Sequence, residues 1–222
     1  MFSQQAGSER LILRRSRNAS PSMLGFSLLE MVTVVAIALV ASSIFFISLQ
    51  PALKNIRATN AFNSVLASMR QAHDRAVAQR GVLLVTFTSP GTVTVSQPST
   101  TVCQGGGGSV ASWFTSRTVT LPTDMKFQVD SNLPTAAPDA FGTGKVAIDF
   151  DQGVGGGGGT TVYFCPDGSA RDANNNINNG IVYMERTNDL YSSRAITLWG
   201  NSGRIRGWQL DKSSSGTYWR RM

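Results

Sequence analysis

The residues able to do chemistry are few and far apart. The chain has one histidine, His73, two cysteines, Cys103 and Cys165, and thirteen carboxylates. Hydrolytic or metal chemistry needs several such groups converging on one point, and no second histidine exists to join His73. Asp124, Asp130, Asp139, Asp149, Asp151, Asp167 and Asp172 stand in turn-like contexts without the spacing of a calcium loop. The glycine tracts at 105–108 and 155–159 lack the Lys-Ser/Thr and helix that a phosphate loop requires, so they read as flexible loops. No catalytic residue, cofactor or metal is expected. The informative titratable group is Glu30, set directly against residues 31–49, 19 residues without a charge.

That run has the length of a membrane span. At about 1.5 Å per helical residue it just crosses a hydrocarbon core of roughly 30 Å. A carboxylate at its head is costly in lipid, so Glu30 calls for a partner that offsets the cost. Pro51 follows and is expected to introduce a kink or a lost backbone bond. Beyond it Phe62, Val65, Leu66, Met69, Ala76 and Val77 recur at helical spacing, with Asn63, Ser64, Arg70, Gln71, Asp74 and Arg75 opposite. His73 falls on the apolar stripe between Met69 and Val77 and reads as a core or partly buried histidine with one hydrogen bond. Gly81 reads as the stop of a helix of about 50 residues.

From there the pattern is β. Strand candidates are 82–88, 92–96, 117–121, 125–129, 145–150, 161–165, 181–186, 195–199 and 204–209. Ser89-Pro90-Gly91 and Pro166-Asp167-Gly168 mark turns, the latter with Asp167-Gly168 as a hairpin turn, and the asparagine-rich tract at 174–180 punctuates the last group. One long helix followed by such strands predicts an α+β fold with antiparallel sheets packed on the helix. About 140 residues after the helix suffice for one core, and 22 glycines among many Ser, Thr and Asn fit a turn-rich exported domain. The net charge of +7 is uneven: from Arg194 onward six basic residues face one acidic residue, Asp211.

The order Gly25-Phe26-Ser27-Leu28-Leu29-Glu30 before an apolar helix resembles the class III signal of type IV prepilins and type II secretion pseudopilins. The resemblance implies a pilin-like fold, cleavage between Gly25 and Phe26 by a prepilin peptidase, N-methylation of Phe26, and a role for Glu30 in neutralising a neighbouring subunit's amino terminus. It divides the chain into a leader at 1–25, a helix at 26–80 with about 26–50 in the membrane, and a β domain at 81–222 with a basic carboxy-terminal tail. The leader departs from the usual pattern, because Arg10, Arg14, Arg15 and Arg17 lie well upstream of Gly25. Its +3 charge still holds the amino terminus in the cytoplasm by the positive-inside rule. The implied location is the bacterial inner membrane, single-pass, with the carboxy-terminal domain periplasmic and the subunit passing into a filament.

Residues 162–169, then Ile196-Thr197-Leu198 and Gly203-Arg204-Ile205-Arg206, resemble the GspH/FimT minor pseudopilins. This implies a non-catalytic filament subunit of a type II secretion system or type IV pilus. Its implied partners are other major and minor pseudopilins or pilins, the prepilin peptidase, and secreted cargo or DNA. The DNA alternative rests on the Gly-Arg-x-Arg motif of FimT-like pilins. Arg204 and Arg206 alternate on a strand and so face one side, with Trp208 and Lys212 close by. The competing reading makes both arginines the solvent face of a terminal strand. In an oxidising compartment Cys103 and Cys165 can pair; Cys165 as a small buried strand residue stands equally open, since sequence does not place the sulfurs within bonding distance.

Overall fold

The computed structural model describes residues 27–103, 114–152, 157–214 and 216–222. The leader, the Gly25–Phe26 junction and the glycine tract at 105–108 lie outside the described residues, as do residues 155 and 156 of the second tract. The chain forms two units, one ending at Ser48 and one beginning at Leu49.

In the first unit the described residues after Ser27 belong to helix α1 (Leu28–Ala78). Leu28, Leu29, Val32, Val35, Ile37, Leu39, Ile44 and Phe45 all expose their side chains. The hydroxyls in this stretch need no outside partner: Thr33 donates to the Glu30 carbonyl at 2.8 Å, Ser42 to Ala38 at 2.7 Å and Ser43 to Leu39 at 2.9 Å. The helix is long and apolar enough to cross a membrane, and none of its most apolar stretch is buried. Pro51 lies inside it, where its missing N–H removes one intrahelical bond without ending the helix.

In the second unit α1 becomes the spine of a β domain. Ala58, Ala61, Phe62, Val65, Leu66, Met69, Ala72 and Ala76 are buried at three- and four-residue intervals. Val77, expected on the same stripe, is 41% exposed in the last turn of the helix. The helix ends just ahead of Gly81, where the stop was expected. Arg80, not Gly81, takes the left-handed conformation (φ 49°), and the Gly81 amide closes the end on the Ala76 carbonyl at 3.0 Å.

Two antiparallel sheets pack on this spine. The first orders β3 (Arg117–Thr120), β2 (Thr92–Ser96), β1 (Leu83–Thr88), β6 (Thr161–Phe164) and β7 (Ala170–Arg171). The second orders β11 (Gly216–Arg221), β10 (Arg204–Ser213), β9 (Asp189–Trp199), β8 (Asn179–Arg186) and β4 (Met125–Lys126), with β5 (Ile148–Gln152) also on β8. Two corrections follow. The asparagine-rich tract does not end before the strand, since Asn179 and Gly180 already belong to β8. The basic segment after residue 204 is no tail: β10 and β11 pair from Trp208↔Arg221 to Ser213↔Gly216, so β10 is not terminal.

Side chains from both sheets meet the helix stripe in one core, including Leu83, Val85, Phe87 and Phe164 from the first and Met184, Ile196, Leu198 and Ile205 from the second. Gly207 permits a close approach, because a Cβ there would lie 2.5 Å from Phe62 Cζ. Its bare backbone lets the phenyl ring rest directly on β10.

The other face of the second sheet is also covered. Val129, Leu133 and Phe141, from the irregular segment between β4 and β5, pack with Trp208 and Trp219 over Ile181, Tyr183 and Ala195. Burial pushes the Tyr183 phenol up to about 12. Glu185 is buried at 2% exposure and accepts from the Ser193 hydroxyl at 3.0 Å. Desolvation raises its pKa above the ordinary 4.5; the Ser193 bond opposes this and the nearby Asp130 charge adds to it. A carboxyl raised in the folded state binds its proton more tightly there. Its stabilisation is therefore full below the unfolded value and lost as pH rises through the folded one. Glu185→Gln, which keeps an acceptor for Ser193 without the charge, is expected to raise Tm near about pH 7 and to change little near about pH 4. Thermal unfolding at both values checks this.

Candidate functional site

Glu30 sits in the first turn of α1, where a carboxylate complements the positive end of the helix dipole. Among the described residues its carboxylate has no hydrogen-bond or ion-pair partner. Among the described residues of the first unit it is the one charge, at the head of an exposed apolar surface.

The basic set on β10 is brought together as its spacing predicts, but it is not free. Cross-strand pairs Arg204↔Trp199, Arg206↔Thr197 and Trp208↔Ala195 place all three side chains on the sheet face turned away from the helix. Arg204 is exposed, its guanidinium 5.4 Å from the Trp199 ring centre. Arg206 is committed: its Nη1 lies 2.6 Å from Asp139 Oδ1, with Asp139 nearly buried. The other Asp139 oxygen accepts from the Thr197 hydroxyl at 2.6 Å, and Thr197 Oγ1 accepts from the Trp208 indole N–H at 3.0 Å. Trp208 is thus a packed, hydrogen-bonded member of the covered face. Lys212 is exposed at the far end of the strand, 5.9 Å above the Tyr191 ring.

Asp139 carries no sequence signal for this role, standing 67 residues before its partner in an irregular segment. It lies in a single 3₁₀ turn (Pro138–Ala140) and, like Ala140, adopts positive φ. That conformation costs a non-glycine residue on the order of 1–3 kcal/mol and persists where surrounding contacts enforce it. Here the contacts are the Arg206 and Thr197 bonds and the packing of Phe141.

Arg194, counted in the basic pole, is 1% exposed and faces the helix instead of solvent. Its guanidinium donates to the carbonyls of Tyr191 (3.2 Å) and Ser193 (3.1 Å) and to Asn55 Oδ1 at 3.4 Å. Desolvation draws its pKa downward.

Cys103 and Cys165 are joined in a disulfide with Cα atoms 5.4 Å apart, tying the loop after β2 to the end of β6. Asp167 caps the β6–β7 turn, accepting the Ser169 amide at 2.8 Å and hydroxyl at 2.6 Å, which hold its pKa low. The turn's Gly168 carbonyl lies 3.2 Å from His73 Nε2, while Nδ1 lies 3.1 Å from Asp74 Oδ1. His73 also meets Phe164 edge-on at 5.7 Å. It therefore has two polar contacts where one was expected, both structural. Among the described residues no group of three or more His, Cys, Asp or Glu is placed to hold a metal.

No protein-family model, no curated protein and no solved structure matches the chain.

Proposed function

We propose that this chain is a filament subunit of the pilin-like class, a minor pseudopilin resembling the GspH/FimT group, serving a type II secretion system or a type IV pilus. The observation that carries the reading is the continuity of one helix. It starts at Leu28, two residues ahead of Glu30, exposes its apolar side chains in the first unit, and in the second unit supplies the buried stripe of a β domain's core. An apolar surface with one carboxylate at its head suits successive residence in lipid and in a bundle of like helices. The subunit acts by packing and not by catalysis. It resides in the inner membrane with its β domain periplasmic until prepilin peptidase cuts after Gly25 and assembly draws it into the filament beside other pseudopilins or pilins. Gly25→Ala tests the processing step: the variant is expected to accumulate uncut in membranes containing active peptidase.

A second reading, capture of DNA, is favoured by one observation: Arg204 and Arg206 share a face at strand spacing. Phosphate must then displace Asp139 from Arg206. On this reading Asp139→Asn strengthens duplex binding by the detergent-solubilised chain, and Arg204→Gln with Arg206→Gln removes it without sequence preference. Binding should fall as salt rises, because bound phosphates release counterions. Fluorescence anisotropy at low and physiological salt decides. Equal binding by the wild type and the double variant leaves the filament reading alone.

A further inference from the structure

The second unit holds a cleft of about 540 Å³ between the first turns of its helix and the end of the sheet where β9 begins and β10 runs out. Lys54, Asn55, Tyr191 and Lys212 line it. Its two carboxylates are already neutralised: Asp189 by Arg186 Nη1 at 2.6 Å, and Asp211 by Arg220 Nε at 2.9 Å. Lys54 and Lys212, both exposed, have no carboxylate within ion-pair distance among the described residues. The cleft is therefore lined by two lysines, Lys54 from the helix and Lys212 from β10, that no carboxylate neutralises among the described residues. Arg194 adds a third positive charge behind Asn55, where burial screens it less than water would.

Location narrows the anion. Lys54 is the first charged residue after Glu30, so a helix that crosses the hydrocarbon reaches headgroup level at about this point. The domain is held to the helix at the same level, since Arg186 Nη2 donates to the Lys54 carbonyl and Arg194 Nη2 to the Asn55 side chain. Tyr191, 48% exposed beside Lys212, presents the amphipathic ring that favours a membrane interface. Lysines recognise phosphate as point charges and reach for it with flexible stems. We infer that this cleft binds the phosphate headgroup of an anionic membrane lipid, with Lys54 and Lys212 as the two phosphate-binding groups; the inference rests on the membrane anchoring proposed above. Such a site would hold the subunit's domain against the bilayer before assembly and would be vacated as the helix leaves it.

The test uses the full chain purified in mild detergent and titrated with phosphatidylglycerol or phosphatidylcholine, with retained lipid counted by native mass spectrometry. Phosphatidylglycerol should be retained and phosphatidylcholine should not. Lys54→Gln with Lys212→Gln should weaken retention by about tenfold, whereas Lys126→Gln with Lys145→Gln, an equal charge loss elsewhere, should not. Unchanged retention by the first variant overturns the site. Competition by inorganic phosphate at the same concentration as the lipid overturns the lipid assignment in favour of a free anion. Alkaline extraction of native membranes, run in parallel, separates the two layers of the argument. A chain that stays in the pellet but binds no lipid defeats the site alone, and a chain that leaves it defeats the anchoring together with the site.

Discussion

Replacing Glu30 with alanine is expected to leave the chain in the membrane and to remove it from filaments. Insertion depends on the uncharged stretch that follows, which the substitution lengthens without interrupting. Assembly is different. The proposed partner of Glu30 is the amino terminus of a neighbouring subunit, and a charge left unpaired among packed apolar helices is strongly disfavoured. The filament-to-membrane ratio should therefore fall on the order of 100-fold. Glu30→Asp keeps the charge on a shorter arm and should retain part of the function. Cleavage at Gly25 should proceed in both variants, because the peptide bond lies outside the pairing. Quantifying the chain in sheared filaments and in membranes measures the ratio, and normal incorporation of the alanine variant would show that the carboxylate has no assembly role.

The disulfide gives the second large effect. Cys103 and Cys165 close a loop across a sequence separation of 62, and removing that constraint should cost about 4 kcal/mol through the entropy of the unfolded chain. For a domain of this size the loss corresponds to a fall in Tm of roughly 8–16 °C. Cys103→Ser with Cys165→Ala is the suitable pair, since Cys165 is fully buried and alanine leaves no orphaned hydroxyl there. Reductant should lower the wild-type Tm to that of the variant and leave the variant unchanged. A wild type indifferent to reductant would mean that the bond constrains little.

What was legible in the sequence was periodic. The 3.6-residue stripe from Phe62 to Ala76 is the buried face of the helix, and β2 spans the residues its alternation predicts. Strands that break alternation were shortened or missed. β9 begins at Asp189, six residues earlier than expected, because polar Ser192, Ser193 and Arg194 are buried where a strand reader looks for apolar residues. The two serines are satisfied locally: Ser192 Oγ accepts the Arg186 amide at 2.7 Å and donates to the Asp189 carbonyl at 2.6 Å, and Ser193 bonds Glu185. β11 was hidden by its charged, edge-like sequence. The cover over the second sheet has no period at all, since Val129, Leu133 and Phe141 come from irregular backbone. Arg206 could therefore be placed on its face but not seen to be paired. The count of six basic residues likewise overstated the free charge, with Arg194 buried and Arg206 and Arg220 held by Asp139 and Asp211.

The central claim is that the apolar helix is the processed amino terminus of a filament subunit, and the mass of the native protein's first peptide tests it most directly. Purified from its own membranes and digested, the chain should yield an amino-terminal peptide beginning at Phe26 with one added methyl group, and nothing from residues 1–25. A mature chain starting at any residue other than Phe26, or an uncut chain beside an active peptidase, would contradict the account.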